Sequence, residues 1–379
     1  MVFLDGIGDL DNLDFAAYLP CMAKTGLLLI NLGTPDSAEP NDVGNYLKEF
    51  LADPFVIDIP APLRWLLVNV LIVPRRKHAS SLLYKKVWGP DGSPLLAYSV
   101  KLHAAVAALA RKQYGDEVVV ELGMRYGQPS LDQAIGKLLD RNVTRIVAFP
   151  LYPQYSLAAT ETAIVKVREI LAARRFEGKV DFIPAFYEHE AYLDAVTAVT
   201  KPALNAIAWD KVLFSYHGLP ERQVMKTDPT GQLCNKVGNC CDKIVEANQN
   251  CYRAQSYATT RALIRHLNLD PAQTLVGFQS RLGRTPWIRP HSDEFYRSLP
   301  KQGVKRLAVV SPSFVADCLE TLEEIQIRGR EEFRENGGED LVLVPSLNAS
   351  PVWAEAVLRI AAPKLPPPGE IDTVDFGKK

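Results

Sequence analysis

Short apolar runs rich in branched residues alternate with longer stretches of helical character along this chain. Four runs lie in the first half, beginning at Gly26, Glu117, Arg145 and Val180, and four in the second half, beginning at Lys211, Thr274, Arg306 and Asp340. A continuous apolar run bounded by glycine or proline is typical of a strand buried on both faces, and alternation with helices indicates a parallel sheet. The pattern predicts an α/β fold with two four-stranded units.

The second half repeats the rhythm of the first. At the ends of matching runs, "LGTP" corresponds to "HGLP", "GMRYG" to "QSRLG" and "FPLYP" to "VSPSF". We therefore expect two similar Rossmann-like lobes, over 24–195 and 196–362. Residues 1–23 are predicted to be a flexible extension, 228–253 a cysteine-rich insertion of the second lobe, and 363–379 a disordered proline-rich tail.

The parallel arrangement predicts where a ligand binds. In open parallel sheets ligands lie outside the carboxyl ends of the strands, and two such sheets facing each other form a cleft. The polar residues that follow the apolar runs are therefore candidate site residues: Asn31, Arg125, Tyr126, Tyr152, Tyr155, His217, Ser280, Arg281 and Ser313.

Charge and motifs exclude several classes of partner. Lysine plus arginine number 43 and aspartate plus glutamate 44, so no net field draws the chain to nucleic acid. The segments "GTPDS" and "HGLPER" lack the glycine pattern of a phosphate loop, so nucleotide binding is not expected. Residues 1–23 hold four aspartates, unlike the basic start of an export signal, and this predicts a cytoplasmic protein.

A histidine and three acids are the candidates for chemistry. Most isolated histidines are structural, but His217 ends a predicted strand beside Gly218, a position that suits proton removal or metal ligation. Asp317, Glu320 and Glu324 have helical spacing, which predicts one shared helix face. Such a run is usually a solvated surface; here it begins at a strand end on the cleft side. Together these groups suit binding of a dication or outward transfer of protons.

Residues 60–77, "PAPLRWLLVNVLIVPRRK", form an apolar segment too short to cross a bilayer. One interpretation is a buried core helix. The alternative is a half-exposed apolar lip that accepts an apolar ligand or lies on a membrane, with Arg75, Arg76 and Lys77 meeting lipid phosphates. We call residues 60–77 the lip.

Four cysteines lie within a short segment, at Cys234, Cys240, Cys241 and Cys251, whereas the rest of the chain has only Cys21 and Cys318. Without an export signal, a disulfide framework is not expected. Structural zinc usually shows CxxC pairs, and this spacing has none. Four thiolates suit a [2Fe–2S] cluster, with zinc or free thiols as the alternatives.

Seven sequence blocks in order give the chain a resemblance to ferrochelatase, the enzyme that inserts ferrous iron into protoporphyrin IX. They are "LLLINLGTPDS", "GSPLLAYS", "GMRYGQPS", "FPLYPQYS", "SYHGLPER", "FQSRLGRTPWIRP" and "SPSFVADCLETLEEI", and the resemblance covers roughly residues 24–360. It implies two Rossmann-like lobes with a porphyrin cleft between them, Fe(II) and protoporphyrin IX as substrates, and haem as product.

The resemblance also implies roles for individual residues. His217 matches the essential histidine, assigned to proton abstraction or iron ligation, and Glu320 the essential glutamate, assigned with Asp317 to proton relay and iron delivery. Glu324 lies on the same acidic segment. The residues implied to line the porphyrin pocket are Leu32, Arg125, Tyr126, Tyr155 and Phe278. The chain departs from many members at Phe278, Cys318 and Arg328, where tryptophan, histidine and an acid are common.

The resemblance sharpens the interpretation of the cysteines and the lip. Animal members hold a [2Fe–2S] cluster with one cysteine in the "PQYS" block and three in a C-terminal extension; here Leu157 occupies the first position and the tail has no cysteine. Some bacterial members instead carry four cysteines after the histidine block, similar to Cys234, Cys240, Cys241 and Cys251. The lip favours protoporphyrin over coproporphyrin and implies peripheral membrane contact. A non-catalytic metal- or porphyrin-binding protein is the alternative from another class, although it would not need Asp317 and Glu320 opposite His217.

Overall fold

The computed structural model describes residues 24–281 and 285–368. It contains two four-stranded parallel sheets, which confirms the predicted α/β class. The first sheet has strands β1 (Lys24–Gly33), β2 (Val118–Tyr126), β3 (Val143–Pro150) and β4 (Lys179–Phe182). The second has β5 (Lys211–His217), β6 (Thr274–Gln279), β7 (Arg306–Val310) and β8 (Asp340–Leu343). All eight predicted strands are present.

The two sheets have the same topology, as the internal repeat predicted. Strand order is β2-β1-β3-β4 in the first sheet and β6-β5-β7-β8 in the second. In each sheet the first strand in sequence is therefore internal, with a neighbour on both sides. Because all pairs are parallel, the carboxyl ends of β1 and β5 lie at the same edge as those of their neighbours.

Helices cover both faces of the sheets. The α-helices are α1 (Pro40–Ala52), α2 (Ala61–Leu66), α3 (Val73–Val87), α4 (Pro94–Tyr114), α5 (Leu131–Asp140), α6 (Thr162–Ala173), α7 (Glu190–Asn205), α8 (Glu221–Met225), α9 (Tyr252–Leu267), α10 (Ser292–Ser298), α11 (Leu319–Thr321), α12 (Arg330–Glu335) and α13 (Pro351–Ala361). Wider π-helical turns span Leu67–Ile72, Leu157–Glu161 and Leu322–Gly329, and 3₁₀ turns span Glu246–Asn248, Pro271–Gln273, Pro300–Gln302 and Ala362–Lys364.

Helix α5 shows how local sequence fixes these elements. The Ser130 hydroxyl accepts a hydrogen bond from the Gln133 main-chain N–H, and the Gln133 side-chain oxygen accepts one from the Ser130 N–H. This capping box satisfies donors that a helix start leaves free. The apolar positions Leu131, Ile135 and Leu138 then face the first sheet and are buried.

One hydrophobic core joins the two lobes. Alternate residues of β1 and β5, such as Leu29 and Phe214, belong to a single cluster that also contains residues of α4, α7, α9 and α13. The intervening residues point to the opposite faces, where Leu28 packs under α5 and α6 and Leu213 packs near α10 and α12. Each strand is thus buried on both faces, which accounts for its continuous apolar sequence.

The predicted boundaries need correction at two places. The boundary between residues 195 and 196 falls inside α7, a continuous helix that packs on α9 and α13. The disordered tail predicted over 363–379 does not include Leu365, because this residue is buried against the shared core. Residues 1–23 and 369–379, predicted to be flexible, lie outside the described residues. Within the described part of the chain, no helix is both long and apolar enough to span a membrane.

Candidate active site

His217 is the last residue of β5 and pairs with Gln279 of β6. Its main-chain N–H donates to the Ser313 hydroxyl at 3.3 Å, and Nδ1 lies 2.5 Å from the Gly218 carbonyl oxygen. A carbonyl oxygen only accepts, so Nδ1 carries the hydrogen and Nε2 of the neutral ring retains a lone pair. The half-buried imidazole is therefore held with one nitrogen ready to bind a proton or a metal ion.

Glu324 lies beside His217, in the π-helical segment 322–329. Its carboxylate accepts hydrogen bonds from the Ser280 N–H at 2.8 Å and the Ser280 hydroxyl at 2.5 Å. Ser280 has φ +67°, a strained conformation for a residue with a side chain, and this conformation directs both donors at one carboxylate. Burial raises the pKa of Glu324; the Ser280 bond and then His217 lower it, and Glu320 raises it.

Glu320 connects this cluster with the first lobe. Its main-chain oxygen accepts a hydrogen bond from the Gln279 side chain at 2.8 Å, beside His217. Burial and then the Glu320 carboxylate raise the pKa of Tyr84, which lies on α3 of the first lobe. Glu320 and His217 are both half-buried. An imidazole and two carboxylates thus lie close enough to interact electrostatically, and one of them also acts on a side chain of the first lobe.

Asp317 is arranged differently from the sequence-based prediction. Helix α11 begins at Leu319, and the preceding Cys318 has extended backbone, so Asp317 lies outside the helix and cannot share its face. The Asp317 carboxylate is buried and accepts hydrogen bonds from the Asn348 amide at 2.8 Å and the Thr321 hydroxyl at 3.0 Å. It fixes the turn that leads into Glu320.

Glu323 is a buried acid that sequence reasoning missed. Its carboxylate pairs with Lys86 of the first lobe at 3.3 Å and with Arg328 at 2.9 Å, and its side chain is 2% exposed. Both cations reach solvent. The bridge fixes the acidic π-helical segment against α3. The sequence signal that could have indicated this pairing is Arg328, a basic residue where members of the family that the chain resembles often have an acid.

Arg125 and Tyr126, at the end of β2, form a buried network around Asp53. The Asp53 Oδ2 atom accepts hydrogen bonds from Arg125, from the Thr162 hydroxyl and from the Tyr126 hydroxyl, at 2.5, 2.5 and 2.9 Å. Tyr126 is fully buried, so its ring cannot line an open pocket as predicted. Arg125 is mostly buried, and its charge is balanced by Asp53.

The remaining predicted pocket residues divide into two groups. Leu32, the penultimate residue of β1, and Tyr155, which follows β3, are both half-buried, and the Tyr155 hydroxyl donates to Glu161 at 3.0 Å. Phe278 is 1% exposed and packs against the rings of Tyr216 and Tyr257 in the core. The ring of Phe278 is thus covered on both sides by the core, and its place in the porphyrin pocket, implied by the resemblance, stays a prediction.

The lip is an exposed apolar surface. Leu63 and Trp65 of α2 are 58% and 63% exposed, and Leu66, Val70 and Leu71 also face solvent. Arg75 and Arg76 follow on the exposed surface. Arg64 fixes the segment by donating to the main-chain oxygens of Ile57 and Ile59. The interpretation as a buried core helix is wrong, and the half-exposed alternative agrees with the structure.

The cysteine segment, residues 228–251, is held by side chains rather than by regular structure. Asp228 accepts hydrogen bonds from Thr230 and from the main-chain N–H groups of Leu233 and Cys234. The Asn248 amide donates to the main-chain oxygens of Cys240 and Lys243. These bonds fold a segment of little apolar content into a compact loop.

The four thiols of this segment lie in sequential contact. The Cys240 and Cys241 sulfurs are 3.8 Å apart. A hydrogen bond to Cys251 raises the pKa of Cys241, a hydrogen bond to Cys234 raises the pKa of Cys251 to about 11, and the same contact lowers the pKa of Cys234. The contacts therefore run in the order Cys240, Cys241, Cys251, Cys234.

A single tetrahedral zinc ion would need the four sulfurs close together, because zinc–sulfur bonds of about 2.3 Å bring every pair of sulfurs to about 3.8 Å. Among the described residues, the one group of three or more His, Cys, Asp or Glu ligand atoms within 4.8 Å of one another is Glu190, Asp194 and His266, on α7 and α9. In the described part of the chain, the four thiols therefore do not form such a compact group.

Comparison with known proteins gives a consistent assignment. A family model described as Ferrochelatase matches residues 24–365. The protein named Ferrochelatase from Coxiella burnetii (strain Dugway 5J108-111) is 45% identical over 342 residues, which are 90% of this chain and 94% of that protein. The Ferrochelatase of Azotobacter vinelandii is 44% identical over 340 residues, covering 89% of this chain and 98% of that protein.

Similarity to solved structures is lower. SirB from Bacillus subtilis with Fe³⁺ has a TM-score of 0.47 and 11% identity, and the match covers 90% of this chain and 96% of that one. The family match, in contrast, includes both sheets, His217, the acidic segment 317–324 and the cysteine segment. The chain therefore belongs to the ferrochelatase family, whose members are lyases.

Proposed function

We propose that this chain inserts Fe(II) into protoporphyrin IX to form protohaem and releases two protons. The observation that carries the proposal is the position of His217 beside Glu324 and Glu320 in the crevice between the lobes. A metal ion can replace two pyrrole hydrogens only if a nearby base accepts them. A fixed imidazole next to paired carboxylates provides such a base and a route for the protons.

We assign the first proton transfer to His217, because its Nε2 retains a lone pair while Nδ1 is held by Gly218. Glu324 is the next acceptor, since burial raises its pKa toward the range in which a carboxylate can exchange protons. Glu320 lies closer to the first lobe and is assigned to iron delivery and proton relay. Asp317 is assigned to positioning Glu320 rather than to the relay, because its oxygens already accept hydrogen bonds.

We assign porphyrin binding to the first-lobe wall, with Leu32 and Tyr155 as contacts and Arg125 as a charge at its edge. Protoporphyrin is preferred over coproporphyrin because the lip beside the crevice is apolar. The same surface supports peripheral contact with a bilayer. Its exposed Leu63 and Trp65 would enter the headgroup region, and Arg75 and Arg76 would face lipid phosphates.

We propose that Cys234, Cys240, Cys241 and Cys251 hold a [2Fe–2S] cluster. The proposal is supported by four sulfurs in sequential contact and by the spread that disfavours one tetrahedral ion. When bound, the cluster would supply a cross-link between four points of the cysteine segment, and it takes no part in the proton steps. Arg253, close to the Cys241 sulfur, would balance the charge of the thiolates.

The catalytic assignment is tested with Glu320→Gln. The variant should lose iron insertion, measured by the shift of the porphyrin absorption bands, while protoporphyrin still binds. The matched control is Glu331→Gln, which changes an exposed glutamate of α12. Near-normal insertion by Glu320→Gln would remove this residue from the mechanism, and unchanged bands with the wild type would favour a binding protein. Faster insertion into coproporphyrin would overturn the choice of substrate.

The lip and the cluster have separate tests. Wild-type protein should sediment with vesicles containing anionic lipid, and Trp65→Lys should reduce the bound fraction, whereas Val352→Lys, on an exposed position of α13, should not. Equal binding by all three proteins would contradict the membrane contact. Purified protein should be brown and bleach with dithionite. Colourless protein with stoichiometric zinc would refute the cluster.

A further inference from the structure

We propose that Gln255 is a positioning residue that couples the cysteine segment to the porphyrin-binding wall of the first lobe. The inference rests on the proposed function, because it needs both a cluster on the four thiols and a porphyrin in the crevice. It gives the cluster an effect on substrate binding without any electron transfer.

Gln255 forms a direct bridge between these two regions. It lies one turn into α9, four residues after Cys251, and is 1% exposed. Its Oε1 accepts a hydrogen bond from the Tyr155 main-chain N–H at 2.6 Å. Its Nε2 donates to the main-chain oxygen of Gln249, inside the cysteine segment, at 2.5 Å. One buried amide thus joins the two backbones.

The Tyr155 side of the bridge is part of the crevice wall. Gln154 donates to Thr259 of α9 at 2.9 Å, and Ser156 begins the π-helical turn 157–161 by accepting from the Ala159 N–H. The position of Tyr155 is therefore fixed from α9 on one side and by its own turn on the other. A shift of Gln249 would be transmitted to Tyr155, because a buried amide left without its acceptor is costly.

A second contact fixes the other end of the cysteine segment. Helix α8 ends at Met225, just before Asp228, and Gln223 donates to the main-chain oxygens of Phe55 and Val56, between α1 and the lip. Arg222 and Lys226 pair with Asp58 at 2.6 and 2.5 Å. The segment therefore lies between two helices that both bind first-lobe elements next to the crevice.

These contacts predict a reciprocal coupling. The cysteine segment has little regular structure, so a cluster bound to four of its residues would restrict where Gln249 lies. If cluster binding favours the position of Tyr155 that accepts porphyrin, porphyrin must stabilise the cluster by the same factor. Couplings of this kind change affinity by about 5- to 150-fold, and we expect about 10-fold here.

The experiment measures protoporphyrin IX binding without added iron, by fluorescence quenching, in cluster-loaded and chelator-stripped full-length protein. Stripped wild type should bind about 10-fold more weakly than loaded wild type. In Gln255→Glu the carboxylate still accepts from the Tyr155 N–H but repels the Gln249 oxygen. The protoporphyrin affinities of the loaded and stripped forms of this variant should therefore differ by less than about 2-fold. The control Gln249→Ala keeps the main-chain oxygen that Gln255 binds, so its loaded and stripped forms should differ in protoporphyrin affinity as much as those of the wild type.

A reciprocal measurement needs no variant. Saturating protoporphyrin should slow the loss of the cluster's visible absorption to a chelator by about the same factor in wild-type protein. Equal porphyrin affinity of loaded and stripped wild type would overturn the coupling, and so would an affinity ratio in Gln255→Glu as large as that of the wild type. Neither result would contradict the proposed iron insertion. A loaded wild type that binds no porphyrin would instead refute the proposed function, and the coupling with it.

Discussion

Replacement of Asp53 by asparagine should destabilise the first lobe strongly while leaving its shape nearly unchanged. Asp53 follows α1, and its side chain is 2% exposed. Its Oδ1 accepts from the Phe55 N–H, and its Oδ2 accepts from Arg125, Tyr126 and Thr162. All four groups donate, so an amide nitrogen is incompatible with either oxygen position.

The expected loss of unfolding free energy follows from the two orientations that the asparagine amide can adopt. If its nitrogen replaces Oδ2, the charged hydrogen bond from Arg125 is lost, because a guanidinium can only donate. If it replaces Oδ1, the Phe55 bond is lost, at about 1 kcal/mol, and the bond to Arg125 loses its charge, at about 2 kcal/mol. Arg125 is 13% exposed, so its cation stays largely buried without a counter-charge. Removing one partner of a buried pair costs about 3–5 kcal/mol, which agrees with this estimate.

The assay is urea unfolding of the wild type, Asp53→Asn and a matched control, with the m-values compared. The control is Asp132→Asn, in the same lobe. Asp132 also pairs with an arginine, Arg174, at 2.9 and 2.8 Å, but its side chain is 60% exposed. Because solvent screens that pair, the control should lose no more than about 1 kcal/mol.

The refuting result is a similar loss of stability in the two variants. If Asp53→Asn also lost only about 1 kcal/mol, Arg125 would have found another partner or reached solvent. Arg125 would then be a mobile cation, and the description of a rigid network around Asp53 would be wrong.

Three further predictions concern the crevice and the core. Because burial raises the pKa of Glu324, its carboxyl stays protonated above its ordinary pKa of 4.5. As the pH rises above 4.5, kcat/KM should therefore rise through an inflection, and the free energy of unfolding of the wild type should fall over the same pH range. Both effects should vanish in Glu324→Gln. An unchanged pH profile would contradict the role of Glu324. Lys86→Met and Arg328→Met should each lower the free energy of unfolding by about 1 kcal/mol, but the double variant should lower it by about 3–5 kcal/mol, because Glu323 then stays buried without a cation. Additive losses in urea unfolding would contradict the bridge. Trp353→Ala should lower the free energy of unfolding by about 3–5 kcal/mol in the same assay, since the ring is fully buried. A smaller loss would mean that neighbouring core side chains move into the space left by the ring.

The strands and the location of the site were predictable because both depend on regular rules. Each strand is buried on two faces, so its sequence is continuously apolar, and β1 and β5 show this most clearly. The carboxyl ends of parallel strands meet at one edge, which placed His217 and Ser280 together before the structure was known. No long-range packing had to be known for either conclusion.

The acidic segment was less predictable, because its backbone departs from the α-helix. Sequence spacing assumed 3.6 residues per turn from Asp317 onward, but Asp317 precedes α11 and residues 322–329 form wider turns. Wider turns change which positions share a face. Glu323 consequently points into the protein and pairs with Lys86, although three acids within five positions are typical of a solvated surface. The inward ring of Phe278 likewise depends on tertiary packing.

The position of α13 has a consequence for synthesis on the ribosome. This last helix packs on α4 and α7, and Trp353 contacts the rings of Phe186 and Tyr192 on the first-lobe side. The first sheet is translated earlier, yet α13, which forms part of its cover, is made only after β8 of the second sheet. Until then the nascent chain must keep this apolar face exposed, so chains released early should be prone to aggregation and targets for chaperones.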